Sequence, residues 1–180
     1  GLLPRLVKEG FRGRIFAHPA TIGIARILLR DSAHIHEKDA EWENRKHHGK
    51  GARVEPVYTM EDVEATLPFF EPVPYQKQFE PCPGVRCRFQ DAGHILGSSI
   101  VECWLNEPGA EGRDFKCVYS GDLGHSGAPV LRDPATIHEA DLLMMESTYG
   151  DRDHRTWEAT WDELGGILSD NAPRFTLRPE

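Results

Sequence analysis

No run in this sequence of 180 residues approaches the roughly 18 to 20 apolar residues that a membrane-spanning helix needs, and no basic-then-apolar leader stands at its start. No membrane partner and a cytoplasmic protein are expected. No Cys-x-x-Cys pair occurs among the four cysteines, Cys82, Cys87, Cys103 and Cys117, which argues against a structural zinc knuckle. Cys103 and Cys117 sit inside apolar, strand-like runs, where a free thiol behaves as a small hydrophobe. Positive charge is scarce too: 21 Lys and Arg against 29 Asp and Glu give a formal charge of −8. Such a chain has no broad cationic surface for a nucleic-acid backbone, so any contact of that kind is local. Internal repeats and low-complexity tracts are absent. What is present is 39% hydrophobic residues, enough for the core of one ordinary domain, which excludes a disordered chain.

Leu2, Leu3, Leu6 and Val7 form a helical stripe with no capping residue before it, and the first residue is Gly1, so the chain is expected to start mid-domain. Asn171-Ala172-Pro173 and Arg178-Pro179-Glu180 supply no closing element, which predicts truncation at the other end as well. Arg14 to Ala17 reads as a short strand leading to Pro19 at a helix start. Ile24, Ile27, Leu28 and Ile35 then keep helical spacing until the pattern dissolves in the charged stretch from Glu37 to Lys50. Thr59 followed by Asp62 predicts a capped short helix carrying Val63 and Leu67 and ended by Pro68. Prolines 72, 74, 81 and 83 enforce extended chain. Four strand-like runs follow, Val85 to Phe89, Ser99 to Leu105, Phe115 to Ser120 and Leu142 to Glu146, and then a helical pattern from Thr156 to Leu168. Helices first and consecutive strands later predict an α/β (α+β) fold, a mixed sheet with covering helices.

Three segments carry ligand-type residues where an apolar strand meets a glycine-rich turn: Asp91-Ala92-Gly93-His94-Ile95-Leu96-Gly97-Ser98, Tyr119-Ser120-Gly121-Asp122-Leu123-Gly124, and Met144-Met145-Glu146-Ser147-Thr148-Tyr149-Gly150-Asp151-Arg152. Glycine lets backbone approach a ligand closely. A histidine and two carboxylates delivered from successive strand ends offer neutral nitrogen and anionic oxygen to a borderline ion such as zinc. Spacing alone does not establish that they converge, and Gly-Asp-Leu-Gly is also an ordinary turn sequence.

In that order the three motifs resemble the β-CASP branch of the metallo-β-lactamase fold, RNA-processing nucleases, over Gly1 to about Arg155. The resemblance implies a partial αββα sandwich over 1–152, with 153–180 as the start of a truncated β-CASP region. It implies that His94 is a zinc ligand, that Asp122 bridges two zinc ions, and that Glu146 is the acidic residue opening the β-CASP part, with Asp122 and Glu146 in the catalytic set. The implied activity is hydrolysis of RNA phosphodiesters by water activated between two metals. RNA is the implied partner, and a homo-oligomer is compatible with the intact parent.

The His-x-His-x-Asp-His cluster of that family is absent from this sequence, as are its later histidines. A catalytic zinc keeps three protein ligands and a water, so the two ligands left here are expected to bind metal weakly and the fragment alone to be inactive. The competing readings are a glyoxalase-type thioesterase, whose Gly-His-Thr differs from Gly93-His94-Ile95, and a non-catalytic scaffold subunit, against which the intact His94 and Asp122 argue. His34, His36 and Asp39 mimic the missing cluster, but residues two apart on a helix face different directions, so a solvated helix face is expected. His47 and His48 read as an exposed loop, His125 as a neighbour of the site, and His154 as a group supporting it. Ser98 and Ser99 lack a base to activate them. Asp91 reads equally as a ligand or as the cap of its turn and is left out of the site, and Trp104, Trp157 and Trp161 are packing groups with no basic residue interleaved.

Overall fold

The computed structural model describes residues 1–46, 53–106, 114–153 and 155–171. It consists of two compact units, Gly1–Glu146 and Ser147–Glu180. The division passes between Glu146 and Ser147, ahead of the boundary expected after residue 152. The expectations for His47, His48, His154 and the segment from Ala172 onward lie outside the described residues.

The first unit opens with helix α1 (Leu3–Lys8), strand β1 (Ile15–Ala17), helix α2 (Pro19–Lys46) and helix α3 (Met60–Thr66). A 3-10 turn over Leu67–Phe69 leads into β2 (Phe70–Pro72), which pairs in parallel with β1. A second sheet runs in the order β3 (Gln78–Cys82), β4 (Val85–Asp91), β5 (Ser99–Leu105), β6 (Phe115–Tyr119) and β7 (Leu142–Met144). Its first three pairings are antiparallel and the last is parallel. The fold is therefore α/β with a mixed sheet and helices, a partial α+β sandwich as expected. Among the described residues no helix is long and apolar enough to cross a membrane.

Capping explains α3. Thr59 Oγ1 accepts the Asp62 N–H at 3.3 Å, and the Asp62 carboxylate accepts the Thr59 N–H at 2.8 Å, closing a reciprocal capping box. Helix α2 corrects two expectations. It continues through the charged residues to Lys46, and its buried stripe is Ile22, Leu29, Ala33 and Ala40, while Ile27, Leu28 and Ile35 are exposed. The larger residues misled because the small Ala33 and Ala40 give the close approach: Leu29 and Ala33 pack with Tyr58 and Val63 of the α3 region. In α1, likewise, Pro4 and Val7 are buried and Leu2 and Leu6 exposed. The proline-rich stretch holds two strands that the sequence reading passes over, β2 and β3; proline is tolerated in strands at edges, where its missing N–H is not needed.

The two faces of the larger sheet differ. On one, Phe79 packs between Phe16 and Phe89 at ring-centroid distances of 4.9 and 5.0 Å, and Cys87 and Cys103 bring their Sγ atoms to 3.3 Å across the β4–β5 register. Burial, and then the neighbouring Cys103 thiol, pushes Cys87 up to about 12, so it is a packing thiol. On the other face Ala92, Ile100 and Val118 form a core with Leu123 and Ile137 against it. Beside Val118 lies Glu102, 1% exposed, which accepts from Arg88 Nε at 2.7 Å, Lys116 Nζ at 2.8 Å and Gln90 Nε2 at 3.0 Å. Trp104 is not free of bases, contrary to expectation: Arg88 and Lys116 lie over its ring at 5.1 and 5.3 Å, brought there by cross-strand register.

In the second unit, helix α4 (Trp157–Asn171) extends the expected helical segment at its C-terminal end. Trp157 and Trp161 stack on one another with centroids 6.4 Å apart, and Arg152 lies over the Tyr149 ring.

Candidate functional site

His94 stands on the turn that joins β4 to β5. The two strands pair to their ends, with Asp91 opposite Ser99, and a tight turn closes between them. Asp91 Oδ1 accepts the Gly93 N–H at 2.9 Å, so of the two roles open to it this carboxylate caps the turn. Ser98 Oγ accepts the N–H groups of His94 and Ile95 at 3.0 and 3.3 Å, which makes it a fastener of the turn rather than a nucleophile. The first turn of α2 seats on the same loop: Thr21 Oγ1 donates to the Gly97 carbonyl at 2.6 Å, and a β-carbon on Gly97 would meet the Thr21 nitrogen at 2.5 Å. His36, part of the apparent histidine cluster farther along α2, packs its edge against Tyr58 at 4.9 Å.

Asp122 follows β6 on a second turn, which locks onto the first. The Gly124 N–H donates to the Ala92 carbonyl at 2.8 Å, and a β-carbon on Gly124 would lie 1.8 Å from the Gly93 oxygen. Gly93 itself holds φ +66° beneath the Arg132 carbonyl, a left-handed backbone that only glycine adopts freely. The third segment comes from β7. Ser120 Oγ accepts the Glu146 N–H at 3.2 Å, and Glu146 Oε1 accepts the Leu123 N–H at 2.6 Å, next to Asp122 in the chain.

The three expected residues are thus brought to one edge of the sheet. His94 and Asp122 line the same cavity of about 200 Å³, with Thr21, Ile24 and Ser99 in its wall. Glu146 does not line it; its carboxylate ties the Asp122 turn to the end of β7. Thr21 and Ile24 were passed over by the sequence reading because they reach the cavity through the seating of α2 on Gly97, which no local spacing reveals. An imidazole and a carboxylate facing one cavity suit a borderline cation. Among the described residues, however, no group of three or more His, Cys, Asp or Glu side chains is placed to hold a metal ion. Two donors are fewer than the three protein ligands that a catalytic zinc takes.

An α/β protein with a histidine and a carboxylate on interlocked turns at a sheet edge is the class these observations define. No family model matches the chain. It is 34% identical over 168 residues to the ribonuclease TTHA0252 of Thermus thermophilus, covering 93% of this chain and 33% of that protein. It is 26% identical over 155 residues to the transcription termination factor FttA of Methanococcus maripaludis, covering 85% of this chain and 21% of the relative. An RNase J-like protein of Methanocaldococcus jannaschii is 32% identical over 95 residues, covering 52% of this chain and 21% of its own length. The chain therefore spans about a third or less of the length of the curated relatives it matches.

Proposed function

We propose that this chain is part of a zinc-dependent, RNA-cleaving phosphodiesterase of the β-CASP branch of the metallo-β-lactamase fold. The observation that carries the reading is the shared cavity of His94 and Asp122, reached from turns that interlock through Gly93 and Gly124. The names of the relatives support RNA as the substrate. In the intact parent, His94 and Asp122 would hold zinc together with donors from outside this sequence. Zinc, when bound, supplies hydroxide at neutral pH and offsets charge on a phosphate. Glu146, which the resemblance puts in the catalytic set, acts on this reading as a positioning residue, through its hydrogen bond to Leu123 that fixes the turn on which Asp122 stands.

The test is metal analysis of the purified 180-residue chain, followed by substitution in the parent. The isolated chain is expected to retain less than one tightly held zinc; two per chain would overturn the view that its donor set is partial. In the parent, His94→Ala and Asp122→Ala are each expected to lower RNA hydrolysis by at least about a hundredfold through loss of metal-assisted charge stabilisation. Full activity in both variants would remove these residues from the metal centre.

A further inference from the structure

A second cavity, of about 280 Å³, lies on the same loop as the first and shares with it the wall residues Ile95, Leu96 and Gly97. No residue of the metal pair lines it. Its polar lining comes from four separate stretches of chain: His18 before α2, Tyr75 before β3, Asp91 at the end of β4, and Arg132 in the loop after Asp122.

Three of these groups are held by contacts of their own, and the fourth, Arg132, rides on an anchored loop. The His18 and Tyr75 rings stack with centroids 3.9 Å apart and 15° between planes. His18 Nδ1 accepts the Ala20 N–H at 3.3 Å, and the Tyr75 hydroxyl donates to the Ser98 carbonyl at 2.7 Å, so both rings are tied to elements of the first cavity. Asp91 spends one oxygen on Gly93. The loop carrying Arg132 is anchored by Ala135 N–H on the Asp91 carbonyl at 2.8 Å and by Gly127 N–H on Asp133 Oδ1 at 2.8 Å. Val130, in the same wall, holds φ +74° at 96% exposure, a left-handed backbone that a β-branched residue adopts only at a cost. Burial lowers the His18 pKa and raises that of Tyr75, while Asp91 pushes both upward, so the carboxylate faces the two rings.

The chemistry is not that of an anion site, since one guanidinium is balanced by one carboxylate. It is an apolar and aromatic wall with one strong acceptor and one strong donor, the arrangement that reads a flat heterocycle carrying both N–H and C=O groups. We infer that this cavity is a nucleobase subsite that takes a keto base such as guanine in preference to adenine, in which Asp91 accepts from the base N–H edge and Arg132 donates to its carbonyl. The inference rests on the nuclease reading only for its biological ligand, an RNA nucleotide beside the one held at the first cavity; the base recognition itself belongs to these four side chains.

The test is an NMR titration of the 180-residue chain with guanosine 5′-monophosphate, adenosine 5′-monophosphate and inorganic phosphate, monitoring backbone amides. Guanosine monophosphate is expected to shift the amides around Tyr75 and Leu96 and to bind at least fivefold more tightly than the adenosine compound. Arg132→Ala should weaken it at least tenfold. Asp91→Asn keeps an oxygen for the Gly93 N–H, so the turn survives, yet should erase the preference for guanine. Equal binding of inorganic phosphate, or guanine preference that survives Asp91→Asn, would overturn the subsite. Failure of the parent to cleave RNA, with guanine selectivity intact here, would instead sink the nuclease reading and leave the cavity's specificity standing.

Discussion

At Gly124 a β-carbon would lie 1.8 Å from the Gly93 carbonyl oxygen, so alanine there must force apart the two turns that carry Asp122 and His94. The contact is backbone on backbone, and no side-chain rotation relieves it. Gly124→Ala is expected to cost about 3 kcal/mol in urea unfolding, at the upper end for overpacking; a change below about 0.5 kcal/mol would mean the turns do not interlock. Glu102 makes a second residue-scale case. Burial pushes its carboxyl up, but hydrogen bonds from Arg88, Lys116 and Gln90 outweigh that and hold its pKa below the ordinary 4.5. A carboxyl whose folded pKa is depressed contributes stability that is present above its unfolded value and lost as pH falls through the folded one. Glu102→Gln should therefore cost about 3 kcal/mol at pH 7, by stranding two cations. It should also flatten the loss of stability below pH 4.5; chemical unfolding at pH 7 and through the acid range reads both.

The capped helix α3 shows what is legible at the scale of an element. Thr59 and Asp62 announce its start because a capping box is a purely local exchange of hydrogen bonds, and the structure contains it. Thr59→Ala is expected to lower stability by about 1 kcal/mol and Thr59→Ser by much less, measured as thermal midpoints; equal losses would show that the threonine methyl, not its hydroxyl, matters. Strands β4, β5 and β6 were legible for a similar reason, since alternation and turn residues are local. Helix α2 was legible in existence but not in orientation: Ala33 and Ala40 face the core, and nothing in a count of large apolar residues favours them over Ile27 and Leu28. Strands β2 and β3 were hidden by their prolines, because a sequence does not say that a strand will be at an edge.

For the molecule as a whole, the site was legible residue by residue and not as a place. His94, Asp122 and Glu146 each stand at a strand end beside glycine, but their meeting depends on the pairing of β4 with β5 and of β6 with β7, and on the contact between Gly93 and Gly124. The four residues of the second cavity have no common motif at all and are joined only by the fold. Net charge, by contrast, is fully given by composition, and it constrains how RNA would be held under the proposed function. At −8 the chain repels a polyanion at long range, so on the proposed reading RNA would be held by a few short-range contacts rather than by a field. Each phosphate neutralised on a single strand contributes about −0.7 to the slope of log K against log salt. With no more than two or three such contacts, the slope for a short single-stranded RNA should be about −2 or shallower, measured by fluorescence anisotropy across a range of salt concentrations. A slope of about −4 or steeper would demand a continuous basic track along the RNA, which an acidic chain with its proposed binding residues on two adjacent cavities does not provide.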